Sequence, residues 1–113
     1  MVVNFDSLKT TAGNNLNFLK ELLDIFIEQY NEVLPIMERS LITNDYESLR
    51  GAVHKIKVSL KYLGMDDMYA KMQVLESDIA HNKNQESYED IIKEFHKNCD
   101  IAINEIKEYI NYK

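Results

Sequence analysis

Leu49-Arg50-Gly51-Ala52-Val53-His54-Lys55-Ile56-Lys57-Val58-Ser59-Leu60-Lys61-Tyr62-Leu63-Gly64 is the stretch on which the reading of this chain turns. Leu49, Val53, Ile56, Leu60 and Leu63 follow one another in steps of three and four. Such steps keep side chains on one face of a helix, so these five make a single apolar stripe. Arg50, His54, Lys57 and Lys61 repeat the steps on the opposite face. One face therefore buries, and the other presents a single imidazole in a row of cations. Between Ser48 and Met65 there are four Lys or Arg and no Asp or Glu, in a chain whose formal net charge is −6. A local positive stripe on an acidic protein suits a negatively charged partner.

A histidine on an exposed helix face is most often idle. Two features favour a role for His54. It stands opposite a good apolar stripe, so it is reachable by solvent, and Lys57 follows one turn on. An imidazole titrates near neutrality, so its neutral form is available as a nucleophile. A nucleophilic nitrogen beside ammonium groups suits a phosphoryl group, which stays doubly negative after transfer. Each close ammonium contributes up to about 4 kcal/mol of gross Coulomb energy at an effective dielectric of about 20, and less when exposed.

The run His54-Lys55-Ile56-Lys57-Val58-Ser59-Leu60-Lys61-Tyr62-Leu63-Gly64 resembles the motif of the histidine phosphotransfer (HPt) domain of bacterial and fungal phosphorelays, His-x-x-Lys-Gly-Ser-x-x-x-Leu-Gly. His54, Lys57, Ser59, Leu63 and Gly64 match it. Leu75-Glu76 falls where the family often carries a Leu-Glu pair on the next helix. His-x-x-Lys alone is a weak signal, and the Leu-Gly that follows inside a matching helical pattern strengthens it. The resemblance implies that His54 accepts a phosphoryl group from a phospho-aspartate on a receiver domain and passes it to another receiver. Lys57 would neutralise phosphate charge. Arg50 and Lys61 would widen the electrostatic match to an acidic receiver pocket and raise the encounter rate. The implied partners are response-regulator receiver domains, a hybrid sensor histidine kinase, or both. The chain itself would need no cofactor, with Mg2+ expected only on the partner receiver.

One position departs from the family. Val58 stands where the motif has glycine. A missing side chain at that position gives a partner's active site room to approach, and a valine crowds it without removing the nucleophile. Gly51 lies one turn before the histidine on the same face. A mid-helix glycine costs about 1 kcal/mol relative to alanine, which suggests that Gly51 moves the free space to the other side of the ring. The plain alternative is a tolerated helix glycine.

Composition sets the bounds. The chain has 113 residues, room for one domain (1–113) with a single core. Apolar residues make up 45%, too many for a disordered chain. One Pro and three Gly favour long helices over many turns. A single cysteine, Cys99, rules out an internal disulfide and fits a reducing compartment, the cytoplasm. No signal peptide or membrane span is visible. The acidic balance argues against nucleic acid as a partner, since that needs a broad basic face. No strand pattern, repeat or low-complexity run is present.

Residues 1–12 read as a short capping helix or ordered arm, with a break at Gly13-Asn14-Asn15. Leu16, Leu19, Leu23, Phe26, Tyr30, Val33, Met37 and Leu41 then alternate in steps of three and four, the seam of one long helix kinked at Pro35. A second stripe beside it, Phe18, Leu22 and Ile25, is expected to lie under the N-terminal arm or to form a docking surface. Thr43-Asn44-Asp45 is a turn, and Gly64 ends the histidine helix. Met65, Met68, Met72, Leu75 and Ile79 form the next seam, more suited to adaptable core than to ligand binding. After the polar loop His81–Gln85, Ser87 and Asp90 resemble a capping box. Tyr88, Ile92, Phe95, Cys99, Ala102, Ile106 and Ile110 line the last helix, with Cys99 as core. These patterns predict an all-α, antiparallel four-helix bundle with an N-terminal capping element.

His54, His81 and His96 have no metal-ligand spacing, so no metal site is expected. There is no Gly-rich phosphate loop. The chain reads as a monomeric phosphoryl carrier rather than an enzyme. Two alternatives stand beside this: a pseudo-HPt module that docks on a receiver without accepting phosphate, motivated by Val58, and an unrelated helical-bundle adaptor that binds a signalling partner through the Phe18/Leu22/Ile25 stripe.

Overall fold

The computed structural model describes residues 1–111. Five α-helices follow in order: α1 (Phe5–Ala12), α2 (Leu16–Thr43), α3 (Tyr46–Tyr62), α4 (Asp66–Ala80) and α5 (Tyr88–Asn111). A single 3-10 turn, Gln85–Ser87, precedes α5. The described residues contain no strand. None of their helices is long and apolar enough to cross a membrane.

The helix starts are where the short polar residues are. The Asn4 side chain accepts from the backbone N–H groups of Asp6 and Ser7, Asn15 from Phe18, and Asp45 from Ser48. Each satisfies a donor that the first turn leaves without an intrahelical partner. The Ser48 hydroxyl and N–H hold the Asp45 carboxyl below its ordinary value. α2 runs unbroken through Pro35, because the apolar seam on both sides packs into one core and outweighs the one hydrogen bond that proline removes. Ser87 is not the capping box expected. Its hydroxyl donates to the Asn84 carbonyl at 2.7 Å, which closes the 3-10 turn instead.

α2 packs on α3 and α5, α3 on α4, and α4 on α5, so the four long helices close a ring. Leu49, Val53, Ile56, Leu60 and Leu63 of α3 and its end are at most 1% exposed, and the seams of α2, α4 and α5 meet them in one core. Cys99 is buried among them, and burial pushes its thiol well above the ordinary thiol range. The helices are also tied across their rims. Ser59 donates to Gln29 and Lys55 to Glu32 between α3 and α2. Lys71 bonds to Glu94 between α4 and α5.

The N-terminal arm is ordered, but it does not cover the Phe18 stripe. The N–H groups of Val2 and Val3 donate to Glu105 of α5 at 2.8 and 3.0 Å, and the Phe5 ring meets Tyr109 at 5.1 Å. The arm is thereby drawn across the end of the bundle towards α5. Phe18 and Ile25 stay 41% and 52% exposed.

The same arm meets α3 at Gly64. The Met65 N–H returns to the Leu60 carbonyl and the Gly64 N–H to Lys61, the pattern of a Schellman turn. Gly64 sits at φ +76°, and Asn4 N–H donates to its carbonyl at 2.8 Å. A Cβ here would lie 2.5 Å from the Asn4 carbonyl oxygen. Two separate constraints, backbone hand and close approach, therefore require glycine. Gly64→Ala is expected to lower stability by roughly 1–3 kcal/mol and the thermal midpoint by roughly 5–15 °C. A midpoint within a degree of wild type in a melting curve would refute that account.

Candidate functional site

α3 presents His54 on the side away from its buried stripe. The His54 side chain is 70% exposed. Its Nδ1 lies 2.6 Å from Oε1 of Glu76 on α4, and the second oxygen of Glu76 takes the Lys57 ammonium. His54 and Lys57 are three residues apart and so share a helix face. Glu76 follows the buried Leu75, which sets its carboxylate at the rim of the α3–α4 seam. There the Glu76 and Lys57 side chains are only 15% and 17% exposed.

The charge state follows from these contacts. Partial burial pushes the Glu76 carboxyl up, but the hydrogen bonds and charges of Lys57 and His54 outweigh it, and the group lies below its ordinary value of 4.5. Glu76 is therefore ionised at neutral pH and has no proton to give. Nδ1 of His54 must be the donor of their bond, which fixes the tautomer. In the neutral ring the lone pair then resides on Nε2, which has no partner among the described residues.

The structure redistributes the cations read from the sequence. Lys57 is bonded to Glu76 and largely covered. Lys61 sits 5.3 Å over the Tyr69 ring. Arg50 makes no ion pair among the described residues and lines a shallow depression with Glu47, Gly51, His54 and Glu76. Val58 is 46% exposed and does not touch that depression. It belongs to an apolar groove between α2 and α3, beside Leu22, Ile25 and Tyr62. The sequence marked Glu76 only as half of a Leu-Glu pair. Its bond to a histidine 22 residues away has no local signal. His81 and His96 stand apart from the site, bonded to the Ser77 carbonyl and to Asp100. No three His, Cys, Asp or Glu residues among those described are grouped to hold a metal ion.

The sequence model of the Hpt domain matches residues 21–109. No curated protein and no solved structure matches the chain.

Because the folded-state value of Glu76 is depressed, its stabilising contribution is present above the ordinary value of 4.5 and is lost as pH falls through the lower, folded value. Glu76→Gln is expected to melt below wild type at pH 7. The gap should narrow as pH drops below 4.5, where the carboxyl of the unfolded chain takes up its proton, and close as pH passes the lower, folded value. A gap that stays constant across that range would mean that the charge of Glu76 is not what holds α3 to α4.

Proposed function

The chain belongs to the Hpt domain family of two-component phosphorelays, and within that family we propose that His54 is the phosphoryl-accepting residue of a relay between two receiver domains. The observation that carries this reading is the exposed imidazole whose Nδ1 is tied to Glu76. That bond leaves Nε2 as the nucleophile. Nε2 attacks the phosphorus of a receiver's acyl phosphate, the aspartyl oxygen–phosphorus bond breaks, and the aspartate leaves as a carboxylate. The ring keeps its proton on Nδ1 and becomes a phosphorylated imidazolium. The Glu76 carboxylate faces that new positive charge and favours the product. Transfer to the next receiver reverses these steps.

The remaining parts of the reaction come from the receiver, which brings Mg2+ and its own catalytic groups. The chain acts as a carrier rather than an enzyme in its own right. Its frame is an antiparallel four-helix bundle. This is supported by the reversed order of cross-helix pairs, with Gln29 opposite Ser59 but Glu32 opposite Lys55. The apolar groove of Leu22, Ile25, Val58 and Tyr62, whose lining on α3 starts at Lys55 next to the histidine, offers the receiver a docking face. Val58 extends that face towards the ring. The same observation favours a second reading, in which the groove binds a receiver and no phosphate moves.

The test is incubation of the purified chain with a panel of phosphorylated receiver domains, followed by intact mass. The relay reading expects one acid-labile phosphate, absent in His54→Gln. Glu76→Gln should transfer roughly ten- to a hundredfold more slowly, the loss of one charge-assisted hydrogen bond. Binding of a receiver without any transfer would replace the relay with the docking module.

A further inference from the structure

Gly51 lies inside α3, five residues from its start at Tyr46. Neither usual reason for a glycine applies to it. Its φ is not positive, and a Cβ built on it would meet nothing within 4 Å. The fold therefore gains nothing from the missing side chain, and the helix is weakened by about 1 kcal/mol relative to alanine. What the absence does supply is open ground beside the imidazole. Helical side chains lean towards the N-terminus and cover the preceding turn. Consistent with this, the depression around His54 is lined on α3 by Glu47, Arg50 and Gly51, and by no residue after the histidine. Val58 is absent from that depression and lines the groove between α2 and α3 instead.

We propose that Gly51 is the clearance position of this domain: the phospho-aspartate loop of the receiver reaches Nε2 over the Gly51 turn rather than over position 58. This rests on the relay reading above. Arg50 gives the occupant its chemistry. It stands at the same opening as a cation without an ion pair among the described residues, so the group admitted there is an anion, the acyl phosphate, and Arg50 bears on its oxygens. Glu47 lines the same depression and disfavours a broader anionic surface. The receiver's apolar contacts rest on the Ile25–Tyr62 groove while its reacting loop crosses the ring.

The experiment compares two phosphoryl donors. Phosphoramidate is small and gives up its phosphoryl group to a histidine nitrogen with loss of ammonia, so it makes no demand on approach. A phosphorylated receiver from the panel does. For each variant, the rate with the receiver is divided by the rate with phosphoramidate. Gly51→Ala should raise the thermal midpoint and lower that ratio roughly tenfold, and Gly51→Leu should lower it roughly a hundredfold or more, since a displacement of about 1 Å at the reacting atoms is enough for that. Val58→Gly should not raise the ratio, since Val58 belongs to the docking face rather than to the approach to the ring. An unchanged ratio in both Gly51 variants overturns the proposal, as does a ratio that rises in Val58→Gly as steeply as it falls in Gly51→Leu. Failure of the wild-type chain to accept phosphate from any receiver, while phosphoramidate still labels His54, removes the relay reading itself and this inference with it.

Discussion

One carboxylate holds the site and part of the frame together. Glu76 is mostly covered, and a covered carboxylate is costly unless its oxygens are bonded. Here one oxygen takes the ring of His54 and the other the ammonium of Lys57. Both partners come from α3, so the bond that settles the charge also fixes how α4 lies against α3. It further fixes which nitrogen of the imidazole carries the proton. The register that lets Glu76 reach His54 is set at Gly64, where the chain turns between the two helices. That turn is in turn held by the arm, through Asn4 and through Ser7, whose hydroxyl donates to Asp66 at 2.6 Å.

This dependence explains which features were legible in the sequence. The seams were. Steps of three and four mark a buried face wherever a helix packs along its length, and residues such as Met37, Ile56, Met72 and Phe95 are fully covered as that spacing requires. The breaks at Gly13-Asn14-Asn15 and Thr43-Asn44-Asp45 and the stop at Gly64 were legible because turns and caps are local chemistry. The path of the arm was not. It depends on Glu105 accepting from Val2 and Val3, a contact across about a hundred residues with no pattern of its own. The exposure of Phe18 follows from that same contact, because an arm drawn to α5 is no longer over the first turns of α2.

The site was legible in part for the same reason. His54 and its exposure follow from one helix read by itself. The role of Lys57 does not, because its direction is decided by α4. Read alone, the row Arg50, His54, Lys57, Lys61 is a positive stripe. In the fold, Lys57 is neutralised by Glu76 and the neighbouring Lys55 by Glu32, while Lys61 lies over Tyr69. Most of the apparent field is cancelled within the domain before a partner meets it.

That cancellation bears on how a carrier of this kind selects its partners. Long-range steering requires net charge on the approached surface, and little is left here beyond Arg50 and Lys61. The exposed apolar side chains Ile25, Val58 and Tyr62 line the neighbouring groove between α2 and α3 and are not screened by salt. If His54 is the acceptor proposed above, selection on this surface would rest on the fit of an apolar contact, with charge acting only at the reacting centre. Such a division suits a relay. In the proposed relay, two receivers would dock in succession on one face and leave again, which a modest apolar footprint allows. On that reading the discriminating step is the meeting of an acyl phosphate with Nε2, on a ring held through Nδ1 by Glu76. In the proposed relay α3 carries the nucleophile and, together with α2, lines the docking face, so its rigidity serves the two together.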